Sequence, residues 1–312
     1  MKRIALSIVV AALAACSAEP HAVKHPAVRK DAASTPGADA AYLASVEHWR
    51  SERAERLREP DGWLSFTGSG QVSDGESSIG SAAGNTIVVP KGPAKWGTLR
   101  LSGDVLRFDA EPGSGVTIDG KPFQSAALLT QLDKGGPTAI HAGKQRFYVV
   151  KTGDLYGWRF RDPESPALAA FNGVPHFPVD PSWRVEATWT AYAQPLKTDL
   201  VTSNGTTEAA EIPGEASFER NGQHFTLKPI VEDGSTDLFF IIADRTSGKE
   251  TYGGARFLYT DAPKDGRVVL DFNRAQNPPC ALNGHVVCPT APAGNRLPIR
   301  VEAGEKTYPL VH

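Results

Sequence analysis

The chain has 312 residues, of which 40% are apolar, 8% aromatic and 22% charged, with 30 Gly, 24 Pro and three Cys. Lys and Arg total 33 against 35 Asp and Glu, a formal net charge of −2, which weighs against a nucleic-acid binder or a binder of anionic lipid surfaces. The length admits one large or two smaller β domains with a sizeable core.

Residues 1–15 open with Lys2 and Arg3 and then run apolar from Ile4 to Ala15, the pattern of an export signal peptide. The run is too short for a spanning helix, which takes about 20 apolar residues. Leu13-Ala14-Ala15-Cys16 resembles a bacterial lipobox, in which the Cys16 thiol receives a diacylglycerol and becomes the N-terminus; the alternative is a plain secretory signal with an incidental Cys. Ser17 rather than Asp after the Cys points to the outer membrane, facing the periplasm, with membrane contact through the lipid only. Residues 16–37 mix Pro, Ala, Ser and charge without an apolar period and read as a lipid-anchored flexible tether.

One amphipathic helix is predicted over 38–60, with Tyr42, Val46, Trp49 and Leu57 along one face and Pro60 as its stop. Arg50, Arg53, Arg56 and Arg58 alternate with Glu47, Glu52, Glu55 and Glu59, which reads as a solvated, ion-paired face. Short β-rich runs follow at the spacing of an all-β sandwich or barrel: 63–68, 85–90, 98–111, 115–123 and 145–162. The last is a hairpin turning at Gly153-Asp154. Residues 163–182 hold five prolines and no period, marking a boundary between an N-terminal β-sandwich over 61–165 and a C-terminal β unit over 166–312. The fold class expected is therefore all-β, two sandwich- or barrel-like units preceded by one amphipathic helix.

In the second unit, strands are predicted over 183–192, 217–230 and 237–244, the last apolar on both faces and so doubly covered. The runs 255–260 and 267–272 are expected to pair through a loop at 261–266, which sets Arg256 across from Asp271. That pair is either a cross-strand ion pair or an Asp-oriented guanidinium presented to a carboxylate or phosphate. Asp271, Asn273 and Asn277 resemble a calcium loop only faintly, since Gln276 stands where the turn Gly belongs. With Cys16 lipidated, Cys280 and Cys288 are left for a disulfide in an oxidising space; Cys280, His285 and Cys288 as three zinc ligands are the rival.

The segments ETYGGARFLY, LDFNRAQNPPCAL, CPTAPAGNRLP and AGEKTY, with DGWLSFTGSG upstream, resemble the bacterial family catalogued as domain of unknown function 1684, over the chain from about residue 45 to the end. The resemblance implies an all-β protein without an assigned activity. It also implies a polar cluster of Asp244, Thr246, Glu250, Thr251, Tyr252, Arg256, Asp271, Asn273, Asn277, Asn295, Arg296, Glu305 and Lys306. Ala255 stands where the family often has Gly. The stretch 75–123 is similar in rhythm to a forkhead-associated sandwich, with PAKWG in place of the phosphothreonine-reading element.

No G-x-S-x-G elbow, H-E-x-x-H pair or Gly-rich phosphate loop is present. The expected function is binding of a small polar or anionic ligand at the C-terminal cluster, with no cofactor or metal. One alternative is a carboxylate enzyme using Glu250, Asp271 or Glu305 as general acid or base with Arg256 or Arg296 holding an anion. The other is a structural envelope protein.

Overall fold

The computed structural model describes residues 36–232 and 234–309; the leader, Cys16 and nearly all of the tether lie outside the described residues. Helix α1 (Pro36–Arg58) ends before Pro60. It lies against the C-terminal unit through Tyr42, Val46, Arg53 and Leu57, a stripe at helical spacing. The Arg run is not a uniform solvated face. Arg50 Nη2 donates to the Phe177 carbonyl at 2.8 Å, and Arg53 is buried, whereas Arg56 and Arg58 are exposed.

Eleven strands build the N-terminal sandwich: β1 (Phe66–Gln71), β2 (Gly75–Gly80), β3 (Ile87–Val88), β4 (Gly97–Ser102), β5 (Val105–Ala110), β6 (Thr117–Ile118), β7 (Lys121–Pro122), β8 (Ser125–Ala127), β9 (Ile140–Ala142), β10 (Gln145–Thr152) and β11 (Leu155–Arg161). They form two sheets, ordered β1-β11-β10-β9-β6-β7 and β3-β2-β4-β5-β8. Alternate residues such as Leu99, Leu101, Phe108, Phe147, Val149 and Phe160 point between the sheets, so period-2 patterning makes the core. The β10–β11 hairpin turns at Gly153-Asp154 as expected, with Gly153 at φ +56°. Trp63–Ser65 forms a 3₁₀ turn rather than the start of a strand.

After a connecting segment with a short helix α2 (Pro166–Ala170), six strands follow: β12 (Arg184–Val201), β13 (Thr207–Arg220), β14 (Gln223–Leu227), β15 (Leu238–Ile242), β16 (Arg256–Thr260) and β17 (Arg267–Asp271). A four-stranded sheet runs β14-β13-β12-β17, and β15 pairs with β16 in a two-stranded sheet. The expected β16–β17 pairing does not form. β16 pairs with β15 (Ile242 opposite Arg256) and β17 with β12 (Arg184 opposite Asp271), so Arg256 does not face Asp271. Sequential strands lie side by side only about two-thirds of the time.

The β15–β16 layer has two different faces. Phe240, Ile242 and Leu258 point into the core shared with Trp183, Phe218, Leu270 and Phe272. Phe239, Ile241 and Phe257 point the other way, toward Leu200 and Cys288. β15 is thus covered on both faces, as its uninterrupted apolar run requires. The β12–β13 hairpin is far longer than its sequence suggests, because a register shift between Ala191 and Leu196 absorbs Pro195 and lets pairing resume through Val201–Thr207.

Candidate functional site

The polar residues expected to converge are instead divided among separate knots. Arg256 is 1% exposed, and its Nη2 donates to Asp244 Oδ2 at 2.7 Å and to the Val301 carbonyl at 3.0 Å, while Nη1 donates to the Ala303 carbonyl. Asp244 Oδ1 accepts from the amides of Thr246 (2.8 Å) and Val301 (3.1 Å). Burial pulls the Arg256 pKa down while Asp244 opposes that shift. By strand parity Arg256 shares the core face of β16 with Leu258. It is turned inward to fasten the 244–251 loop and the 301–303 segment, and it presents nothing to a ligand. Thr246 and Thr251 close the same loop, their hydroxyls 2.9 Å apart.

A second knot lies under α1. Gly304, at φ +79°, passes so close to the Ala275 and Phe272 carbonyls that a Cβ would overlap them, which is why glycine stands there. The turn sends the fully buried Glu305 inward, where Oε2 accepts from the Asn277 amide at 2.6 Å and Oε1 from Arg53 Nε at 3.0 Å. Arg53 Nη2 donates to the Asn277 carbonyl at 2.9 Å. The Asn277 side chain donates to the Lys306 carbonyl at 2.7 Å and leaves its Oδ1 buried without a partner. Lys306 Nζ itself sits 4.7 Å over the Phe177 ring.

The remaining predicted residues are spread further. Asp271 Oδ1 accepts from the Tyr42 hydroxyl at 2.8 Å, and Asn273 donates to that hydroxyl at 2.9 Å and to the Asp180 carbonyl at 2.8 Å. Burial and the Asp271 carboxylate push the Tyr42 phenol upward. Asn295 spends its amide on Lys228 and Ile241 carbonyls. Glu250 is a surface residue gripped by Arg300 at 2.6 and 2.8 Å, and Arg296 is exposed. Glu250, Asp271 and Glu305 therefore lie in three different hydrogen-bond networks, which is not the arrangement of an acid–base pair acting on one substrate. Asn273 and Asn277 likewise belong to different knots and form no calcium loop.

Where a ligand has room is the opposite face of β15–β16. A cavity of about 1110 Å³ opens there between that layer and the distal half of the β12–β13 hairpin. Phe239 stacks on Tyr259 (4.6 Å, 5°) and meets Phe257 edge-on (4.7 Å, 81°), making an aromatic wall with Ile230 and Val286. Across from it, the register pairs Thr198 with Ala210 and Leu200 with Glu208, so these four share a face. The hairpin tip is tied down by the Ser203 amide to the Cys288 carbonyl (2.8 Å) and the Thr290 amide to the Val201 carbonyl (2.8 Å). Arg53, Trp63, Gln276 and Asn277 also line it, as do the charged Lys197, Asp199, Glu211 and Glu232, and Arg53 is only 8% exposed. Of the polar residues predicted from sequence, only Asn277 lines this space.

Arg53 is the residue that sequence reasoning missed, and a signal existed. It falls four residues after Trp49 and four before Leu57, in the apolar stripe rather than on the charged face. A cation at a core position requires a buried acid, and Glu305 is that acid.

Cys280 and Cys288 stand as neighbouring free thiols, the Cys280 amide 3.1 Å from Cys288 Sγ. A hydrogen bond from Cys288, helped by Tyr252 3.6 Å away, holds the Cys280 thiol down at about 7 and pushes Cys288 up. His285 does not complete a metal set: its Nδ1 is 3.1 Å from Ser69 Oγ in the N-terminal sandwich. Among the described residues no group of three His, Cys, Asp or Glu is placed to hold a metal ion.

The sequence model of the family described as "Protein of unknown function (DUF1684)" matches residues 169–306. Among solved structures, the solution NMR structure of an uncharacterized protein from Haloarcula marismortui is 35% identical, covering 45% of this chain and 78% of that one, with a TM-score of 0.38. No curated protein matches. The family match holds the aromatic wall and both hairpin arms, whereas Arg53 and Trp63 lie before it.

Proposed function

The chain belongs to the family described as "Protein of unknown function (DUF1684)", and from that premise we propose that it is a ligand-binding protein whose site is the cavity between the β12–β13 hairpin and the β15–β16 layer. The ligand is a small molecule with a polar or anionic group, received at Arg53. One observation carries the reading. Arg53 is held rigidly by Glu305 and the Asn277 carbonyl through Nε and Nη2, and the side chain nonetheless lines an open cavity. A guanidinium fixed by a buried acid is a pre-oriented donor, so little entropy is lost when a ligand arrives.

The same proposal extends to the setting. Residues 1–15 act as a leader, Cys16 carries the lipid, and the folded part faces the periplasm from the outer membrane; the basic start, the apolar run and the lipobox-like Leu13–Cys16 support this. In that oxidising space Cys280 and Cys288 pass two electrons and two protons to a disulfide-bearing oxidant and join, fastening the segment that anchors the hairpin tip.

Native mass spectrometry of the chain exported to a bacterial periplasm, set against the denatured mass of the same sample, tests the reading. Excess native mass that disappears in Arg53→Gln is expected. A native mass equal to the denatured one, in protein that also binds no added probe, overturns it.

A further inference from the structure

Resting on the cavity being a ligand site, we propose that its ligand is a single-chain amphiphile, a carboxylate head received at Arg53 with an alkyl chain laid along the Phe239–Tyr259 wall. The volume, about 1110 Å³, lies just above the usual span of small-molecule sites, roughly 300–1,000 Å³. A phosphate or a short carboxylate would leave most of it as water against aromatic rings. Long apolar ligands fill such a space favourably, at about 25 cal/mol per Å² of apolar surface removed from water.

The distribution of polar groups points the same way. At one end Arg53 meets the Asn277 carbonyl, and there the buried Asn277 Oδ1 has no partner. The β15–β16 wall and the facing Leu200 and Ile230 are apolar, while Lys197, Asp199, Glu211 and Glu232 line the rest of the space. Tyr259 is 42% exposed and Trp63 40%, so both offer accessible aromatic surface at the cavity. The Glu305 carboxylate already balances the Arg53 charge, so the polar end offers directed hydrogen bonds more than net positive potential. Glu208, on the hairpin face beside Leu200, weighs against a polyanion. One acceptor head with an apolar body matches the fixed Arg53 donor and the Phe239–Tyr259 wall together.

The test uses the purified full chain and cis-parinarate, a fluorescent long-chain carboxylate, with dodecanoate, dodecanol and butanoate as competitors. Saturable fluorescence is expected, displaced by dodecanoate and not by butanoate. Arg53→Gln should weaken dodecanoate about tenfold relative to dodecanol, the size of one charge-assisted hydrogen bond. Because Arg53→Gln also disturbs the Glu305 anchor, Ala210→Trp, which fills the cavity and leaves that anchor intact, is the second variant and should abolish binding in folded protein. Butanoate competing as well as dodecanoate overturns the amphiphile and leaves a small-anion site standing. Unchanged binding in Ala210→Trp places the probe elsewhere and overturns the cavity assignment itself. Equal loss of dodecanol and dodecanoate in Arg53→Gln overturns the head-group role.

Discussion

Arg53 and Glu305 meet at 3.0 Å across 252 residues of sequence, joining the first helix to the end of the chain in a contact from which water is excluded. Removing the guanidinium strands a buried carboxylate and an unpaired Asn277 carbonyl. Arg53→Ala should therefore destabilise the protein by about 3–5 kcal/mol. Arg56→Ala, three residues along on the exposed side, should stay within about 0.5 kcal/mol. Urea unfolding of both variants checks this, and equal midpoints would show the pair to be inert.

Asp244 and Arg256 make a second buried pair at 2.7 Å, and it is a fastening. Arg256→Leu alone is expected to cost about 3–5 kcal/mol by leaving Asp244 charged and dry, and Arg256→Leu with Asp244→Leu should recover part of that loss. The double-mutant cycle reads the coupling directly. If Arg256→Leu kept its full stability and lost only ligand binding, the residue would belong to a site after all.

Cys280 and Cys288 give a chemical test in two parts. Protein from the periplasm should weigh two hydrogens less than its reduced form, and Cys280→Ser with Cys288→Ser should lower stability by about 2–3 kcal/mol in the loop-entropy account. After reduction, alkylation should strike Cys280 first, with a rate rising through half-maximum near pH 7, because Cys288 and Tyr252 stabilise its thiolate. Cys288, pushed upward by the same bond, should lag. Equal rates at both thiols would contradict the geometry.

Three histidines make stability depend on pH in one direction. Burial lowers the pKa of His176, His141 and His285 relative to the unfolded value of about 6.5. The unfolded chain then binds more protons in the window below about 6.5, so stability rises with pH through it and falls on acidification. His176 has the clearest cause, its Nε2 buried without a partner. His176→Gln should flatten the slope between about pH 7 and 5 in denaturation midpoints measured at each pH.

The sequence makes the β10–β11 hairpin legible because alternation and a tight turn at Gly153-Asp154 are local signals. The distal arms of β12 and β13 are not, because Pro195 and Pro213 look like breakers and only the bulge between Ala191 and Leu196 tolerates one. The polar run from 271 to 306 is visible as a cluster, but composition cannot say whether such groups face a ligand or one another. Asp244 and Glu305 each face a buried arginine and backbone amides, and Asn295 faces backbone alone, satisfying irregular segments that have no sheet partners. The Arg256 partner was unreadable for a topological reason: Asp244 reaches it only because β16 turns back onto β15 instead of pairing onward with β17. The cavity itself is built by elements far apart in sequence, with aromatic residues that read from sequence as ordinary strand core.

Helix α1 also governs the order in which the chain matures. Its contacts reach forward to Phe177, Asp271, Asn277 and Glu305, and Leu57 packs with Phe171, Leu282 and Tyr308 as well as the nearby Leu64, so the full set exists only when synthesis is nearly complete. Such long sequence separations slow the closing step and leave its apolar stripe uncovered meanwhile. Full docking of α1 therefore waits for the C-terminal segment, and loss of the residues from Gly304 onward leaves Arg53 without its acid.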